Sequence, residues 1–321
     1  MALILYFARR LVWAVVIAII AVMITFFLIH LAPGSPVSFL AGDRATPQYQ
    51  ALLRHQLGLD QPLPVQLYRY LTRLAHGDLG YSFTYQAPVS TVILSRLPAT
   101  LLLMGTSLVL ATGGGIWIGV RTAVGRRAAV WNAATVASLI GYSLPPFWFG
   151  QVLILVFGVT LGWFPILGMS SQLSATGWTH VVDIAWHLVL PAVTLGLIEM
   201  ALISRLTRSA MIEVLDQDYI ITARGKGLSW HRVTYRHALR NALLPVVTVF
   251  GLELGWLVAG FVVVETVFSW PGLGRLTFDA ITARDYPVIT GLFILVTFTV
   301  VAANLLSDVV YMIVDPRIRY G

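Results

Sequence analysis

The chain has 321 residues, 58% of them hydrophobic and 11% charged, with a formal net charge of +7 and no cysteine. So few charges, against the roughly 25% usual in soluble domains, exclude an ordinary water-soluble globule and require lipid around much of the surface. The missing cysteines exclude disulfides, thiolate metal sites and cysteine nucleophiles, and leave the redox compartment open.

The first apolar run, Leu11–Leu31, follows Arg9 and Arg10 and has His30 as its one ionisable residue. Its length gives about 31 Å of helix, one full crossing. It ends in His30-Leu31-Ala32-Pro33-Gly34, without the shorter apolar core and small-residue cleavage site of a secretory signal, and so reads as an uncleaved anchor. Residues 32–97 are too many for a simple turn. Within them Leu63, Leu67, Leu71 and Leu74, with Tyr70 beside them, recur at helical spacing and predict an amphipathic helix resting on the membrane or on the bundle. A packed cap and a docking surface are both open readings of this loop.

Five further runs, near Pro98–Val120, Trp131–Val159, Ala185–Ser204, Ala242–Val264 and Val288–Ile313, bring the predicted spans of an all-α integral membrane protein to six. An even number places both termini on one side, and the basic residues choose it. Arg9–Arg10, Arg121–Arg127, Arg205–Arg240 and Arg317–Arg319 hold 14 of the 21 basic residues against four acids, Glu213, Asp216, Asp218 and Asp315. That side is expected to be cytoplasmic, leaving residues 32–97 on the outer face. The basic balance is then topological. A nucleic-acid reading would use the same charge excess but has no helix-turn-helix or finger pattern behind it. The expected organisation is a first helix to residue 31, an extracytoplasmic loop 32–97, a core of helices two to six over 98–313 containing a cytoplasmic loop 207–244, and a tail 314–321.

The loop from Thr207 to Leu244 is polar and long for a connector. A helix through Met211–Ala223 is expected, then a sharp turn at Gly225 and Gly227, where a side chain would be strained. A second helix starts with Ser229 at the N-cap and runs to Asn241, ahead of Pro245. The product is an elbow exposing Leu228 and several arginines, suited to a groove on a soluble partner or to anionic lipid headgroups.

A phosphate-gripping P-loop needs a glycine-rich turn followed by lysine and then serine or threonine. The one lysine here is Lys226, followed by Gly227, so this chain holds no such loop. Acids inside spans cost a few kcal/mol and usually face a bundle interior or a water-filled cavity. Glu199 and Glu253 lie deep in helices four and five and are candidates for lining a pathway. Glu265, Asp308 and His30 lie nearer helix ends and are candidates for structural or gating hydrogen bonds, with Asn304 a weaker one. Gly115 with Gly119, and Gly251 with Gly255, have the spacing that lets helices approach closely. No serine with an oriented histidine or paired aspartate occurs within the spans, which argues against an intramembrane hydrolase.

Asp218-Tyr219-Ile220-Ile221-Thr222-Ala223-Arg224-Gly225-Lys226-Gly227-Leu228-Ser229, followed by Arg236-His237-Ala238-Leu239-Arg240-Asn241-Ala242-Leu243-Leu244-Pro245, resembles the coupling loop of binding-protein-dependent importers of the ATP-binding cassette (ABC) class. Gly77-Asp78-Leu79-Gly80, Ser143-Leu144-Pro145-Pro146-Phe147-Trp148, Glu265-Thr266-Val267-Phe268-Ser269-Trp270-Pro271-Gly272-Leu273-Gly274 and Asp315-Pro316-Arg317-Ile318-Arg319-Tyr320 extend the likeness over nearly the whole chain. It is greatest to the first-permease subunit of the dipeptide, oligopeptide and nickel importers. The general importer motif begins Glu-Ala-Ala where this chain has Ile221, Thr222 and Ala223, and Gly225 stands where the peptide branch often has alanine.

The resemblance implies a type I importer permease fold that forms half of a translocation pathway for dipeptides or oligopeptides. It implies Ala223, Arg224, Gly225, Lys226, Gly227 and Leu228 as the contact with two separate ATPase subunits, which would bind the ATP and Mg; no cofactor is expected on this chain. A second related permease, completing a heterodimer, and an extracytoplasmic peptide-binding protein are the other implied partners. Glutathione-like compounds, haem and nickel complexes remain alternative solutes. A secondary transporter or channel driven by an ion gradient is the alternative function, in which the deep acids would serve the ion.

Overall fold

Lipid offers the backbone no water to bond, so a crossing segment must satisfy its own N–H and C=O groups, and helices do this within one segment. The computed structural model describes residues 2–31, 46–56, 58, 60–125, 143–171, 177–256 and 261–314. In order these form α1 (Ala2–Leu31), α2 (Pro47–Gln56), α3 (Leu63–Ala75), β1 (Tyr81–Ser82), β2 (Ala87–Pro88) and α4 (Val89–Val124). There follow α5 (Pro146–Leu153), which continues as a π-turn (Ile154–Thr160), α6 (Trp178–Leu215), α7 (Asp218–Gly225) and α8 (Trp230–Arg232). A second π-turn (Val233–Ala238) leads to α9 (Leu239–Ala242), α10 (Leu244–Trp256), α11 (Val262–Val267), α12 (Leu273–Thr282) and α13 (Tyr286–Val314). The antiparallel pair β1–β2, with Tyr81 opposite Pro88, is a small departure from the all-helical expectation.

Among the described residues three helices are long and apolar enough to cross a membrane: Val89–Val124, Trp178–Leu215 and Tyr286–Ala303. The second expected span starts earlier than Pro98, which sits inside α4. Its ring deletes one intrahelical hydrogen bond, a loss that neighbouring groups in a bundle make tolerable. α6 likewise extends beyond both ends of the expected Ala185–Ser204 and carries Pro191 internally. The third span is helical over Pro146–Thr160; its first part, 131–142, lies outside the described residues. The fifth is not one continuous helix: α10 ends at Trp256, residues 257–260 lie outside the described set, and Phe261, at φ −103° and ψ 88°, is not helical.

The chain divides into two compact units, Met1–Pro98 with Gly272–Val301, and Ala99–Pro271 with Ala302–Gly321. In the first, α1 buries Ala18, Val22 and Phe26 along one stripe and exposes Val12, Trp13, Ile17, Ile20 and Ile24, a lipid-facing pattern. The amphipathic helix expected from Leu63 onward is α3. Leu67, Tyr70, Leu71 and Leu74 are half-buried and Leu63 is exposed. Tyr70 places its ring 5.7 Å from that of Phe26, so α3 rests on α1, and burial pushes the Tyr70 phenol up to about 12. The hairpin is tied to the start of α13 by Asp285, which accepts the Ser82 hydroxyl at 2.5 Å and caps the Val288 N–H at 3.4 Å.

In the second unit, α4 and α6 meet along a glycine seam. A Cβ at Gly115 would stand 2.7 Å from the Ile203 Cβ, and one at Gly119 would stand 2.5 Å from the Thr207 Cβ and 2.7 Å from the Ser204 carbonyl oxygen. Only a missing side chain permits that approach. Replacing Gly119 by Val is therefore expected to cost about 1–3 kcal/mol, whereas Gly113→Ala, whose Cβ meets nothing within 4 Å, should leave the protein as stable or slightly more so. Thermal melting of the two detergent-solubilised variants checks the contrast.

Candidate functional site

The elbow begins where α6 stops at Leu215. The single helix expected over Met211–Ala223 is broken, because Gln217 turns extended at φ −78° and ψ 146° and restarts the chain as α7. Short polar side chains such as those of Asp216 and Asp218 favour such caps and turns over helix interiors. At its other end α7 closes as a Schellman motif: the Leu228 N–H donates to the Ala223 carbonyl at 3.4 Å and the Gly227 N–H to the Arg224 carbonyl at 2.9 Å. Gly227 occupies the left-handed position at φ +77°. Of the two expected turn glycines only this one bends the chain, since Gly225 is the last residue of α7. Ser229 stands at the N-cap of α8 as expected, but its side chain makes no capping hydrogen bond. The second limb then runs through α8, the π-turn and α9 to Ala242, and Pro245 lies in the first turn of α10, where its missing N–H costs nothing.

The inner face of this elbow is a closed apolar cluster. Ile220 and Ala223 of α7 pack with Val233, Ala238 and Ala242 of the second limb, with Val120 at the end of α4, and with Ala210 and Met211 of α6. Leu228, expected to be exposed, instead joins it half-buried, because a Schellman closure folds the residue after its glycine back onto the helix. Two side-chain contacts brace the limbs to each other. Asn241 Nδ2 donates to Tyr219 Oη at 2.8 Å, and the Arg224 guanidinium lies 5.3 Å from the Trp230 ring centroid. All four residues fall between Asp218 and Pro245, yet spacing gives no signal for a contact across a turn. The outward face presents Arg224, Gly225, Lys226 and Gly227, with Ile221 62% exposed. An apolar side chain left so open one turn from the cations Arg224 and Lys226 suits a docking surface.

Of the intramembrane acids, Glu199 is half-buried on α6. Glu265 is fully buried on α11 and accepts the Thr100 hydroxyl at 2.9 Å. Beside it Trp270 Nε1 donates to the Ala99 carbonyl at 2.8 Å, within an apolar core of Leu103, Leu195, Val264 and Phe268. A carboxyl so enclosed is tolerable only when hydrogen-bonded. Glu253, Asp308, His30 and Asn304 lie on α10, α13, α1 and α13, with their side chains outside the described set. The six elbow residues thus lie on one turn, with Ala223 buried, Leu228 half-buried and the four between them exposed.

Sequence motifs left one polar anchor unmarked. Asp183, near the start of α6, accepts from Ser170 Oγ at 2.6 Å, Ser171 Oγ at 2.7 Å and the Ser171 N–H at 2.8 Å, pinning the segment before α6 to that helix. Two adjacent serines a dozen residues before an aspartate are too common a pattern to signal this.

Residues 115–320 match the family described as "Binding-protein-dependent transport system inner membrane component", and residues 3–104 the N-terminal family of the same membrane component. The di/tripeptide transport system permease protein DppB of Pseudomonas aeruginosa is 44% identical, with 98% of each chain covered. The dipeptide transport system permease protein DppB of Escherichia coli K12 is 43% identical over 93% of this chain and 94% of its own. The glutathione transport system permease protein GsiC of Salmonella paratyphi A is 42% identical over 98% and 99%. Among solved structures, a chain of the MetNI methionine ABC transporter in an inward-facing conformation superposes with a TM-score of 0.57 at 18% identity, covering 70% of this chain and 97% of that one, a likeness of fold.

Gly225 and Gly227 separate by conformation. Gly227→Ala should cost about 1–2 kcal/mol, because the left-handed backbone resists any Cβ. Gly225→Ala, helical and with nothing within 4 Å, should gain up to about 1 kcal/mol. Opposite shifts in melting temperature are the expected result.

Proposed function

The chain belongs to the family of inner-membrane components of binding-protein-dependent transport systems, and from that premise we propose that it carries short peptides across the membrane for an ATP-driven importer. It is a non-catalytic permease subunit of an ABC importer, embedded in the inner membrane, in a system that also includes an ATPase and a binding protein. The observation that carries the peptide reading is near-full-length identity above 40% to permeases named for di- and tripeptides, dipeptides and glutathione, solutes that share an amide backbone and charged ends.

The finer assembly is part of the same proposal. A second, related permease completes the pathway as a heterodimer, two ATPase subunits bind ATP and Mg, and an extracytoplasmic protein delivers the peptide. Both termini and the elbow face the cytoplasm, in keeping with the clustering of basic residues there. The elbow seats Ile221 and the Ala223–Leu228 turn in a groove of an ATPase subunit. When ATP draws those subunits together, α7 moves, the shared apolar cluster carries α4 and α6 with it, and the pathway changes the side to which it opens. Glu199 and Glu253 line that pathway and attract the peptide amino terminus.

Uptake of labelled dipeptide by cells expressing the intact system tests the solute class, and uptake that needs a proton gradient rather than ATP would favour an ion-driven carrier. Ile221→Asp should reduce co-purification of the ATPase subunits by roughly tenfold or more, the scale of one buried apolar side chain. Gly227→Pro, whose ring cannot adopt φ +77°, should abolish solute-stimulated ATP hydrolysis while the chain still inserts; unchanged coupling would refute the role of the elbow. Glu199→Gln and Glu253→Gln should alter uptake with assembly intact, and normal uptake in both returns these residues to packing.

A further inference from the structure

The second limb of the elbow carries a feature that docking of α7 does not use. Arg232, Arg236 and Arg240 are exposed, while Val233, Thr234, Ala238 and Ala242 of the same limb are buried, so the arginines form a row on the face turned away from the apolar cluster. Four residues overshoot a full turn in an α-helix, to about 400°. The intervening π-turn, Val233–Ala238, winds more loosely and brings the row back into line. None of the three makes an ion pair or hydrogen bond among the described residues. From Tyr219 to Leu252 there are five cations and no acid, and Asp218, just before this stretch, makes no ion pair among the described residues. A row of aligned, unpaired guanidinium groups selects an external anion, and its fork geometry suits phosphate.

Two observations place that anion at the membrane surface. Apolar α10 starts at Leu244, four residues beyond Arg240. Val120 of α4 also shares the buried cluster with Val233, Ala238 and Ala242, which sets Arg121 at the depth of this limb. The Arg121 guanidinium lies 5.9 Å from the ring centroid of Trp117, itself 59% exposed. An exposed tryptophan with an arginine at the end of an apolar helix is the chemistry of the headgroup layer.

We infer that Arg236 and Arg240, together with Arg121, bind the phosphate headgroups of anionic phospholipid, so that the elbow holds the membrane with its second limb. The inference rests on the membrane placement of α4 and α10 and is independent of whether α7 docks an ATPase. The test is native mass spectrometry of the full-length chain purified with its co-purifying subunits from vesicles of phosphatidylcholine with and without phosphatidylglycerol. The intact protein should retain phosphatidylglycerol in preference to phosphatidylcholine. Arg236→Gln with Arg240→Gln should weaken that preference roughly tenfold and leave ATPase-subunit retention unchanged, and Arg236→Lys with Arg240→Lys, which keeps the charge, should restore most of it. An unchanged lipid preference in the glutamine variant overturns the inference. So does loss of the ATPase subunits in that variant, whatever its lipid count, since the row would then be a contact for an acidic protein surface. Ile221→Asp should leave lipid retention intact, so failure of the coupling proposal and failure of this one give different readouts.

Discussion

A bend in a chain passes force only if it does not fold like a hinge, and in this protein the bend is held by one buried apolar cluster. Residues from α7, the second limb and the ends of α4 and α6 meet in it. Ala223, Ala238 and Ala242 let the backbones come close, and Met211 and Val233, fully buried, fill the space the alanines leave. Close-packed interiors of this kind compress little and so transmit displacement. The Schellman closure adds an angular constraint, because its two hydrogen bonds and the left-handed Gly227 hold α7 at one angle to the second limb. Without the cluster the same residues would form a polar loop whose movement went no further than itself.

α4 is the helix that carries this constraint through the second unit. Val120 near one end belongs to the elbow cluster, while Ala99 and Thr100 hold Trp270 and Glu265 by hydrogen bonds. Roughly twenty residues of helix separate these ends, about 30 Å, the thickness of the hydrocarbon layer. Between them runs the glycine seam with α6. The two helices are therefore in close contact along this stretch, and in the proposed coupling a shift imposed at Val120 would move both. The enclosed carboxyl of Glu265 makes the far end specific as well as tight. An apolar contact tolerates sliding, whereas separating the carboxyl from the Thr100 hydroxyl would strand a buried polar group.

Features with a period or a composition were legible in the chain itself. Long apolar runs announced the spans, four leucines and Tyr70 announced α3, and the motif from Asp218 to Leu228 announced the elbow. The features that escaped have no period. Pro98 reads as a helix start but lies inside α4, because a membrane helix loses less by a missing N–H than by ending in lipid. Gly225 and Gly227 are the same residue type two positions apart, and only backbone conformation shows that one belongs to the helix while the other terminates it. The pairs Tyr219–Asn241, Thr100–Glu265 and Ser82–Asp285 join residues far apart in the chain, and no local pattern encodes them. Glu265 illustrates the limit well. Its rank among four acids could be argued from depth, but the hydroxyl that makes its burial possible belongs to another helix.

The chemistry of the elbow divides by limb, and the division comes from the surface each limb can withdraw from solvent. α7 exposes Ile221 beside a backbone turn, so the gain from the proposed docking would be removal of apolar surface from water, which salt hardly affects. The second limb exposes guanidinium groups, whose attraction to phosphate falls steeply once the Debye length drops below their separation from the charge. In the proposed arrangement the first contact bears the stroke and the second holds the base of the lever. A lever with only the first would convert part of each ATPase movement into tilting of the whole elbow toward the aqueous phase. Phosphate contact at Arg236, Arg240 and Arg121 opposes that tilt, because it removes the cations from water in one orientation only. Displacement at Ile221 is then directed along α4 and α6, the helices whose ends the elbow grips.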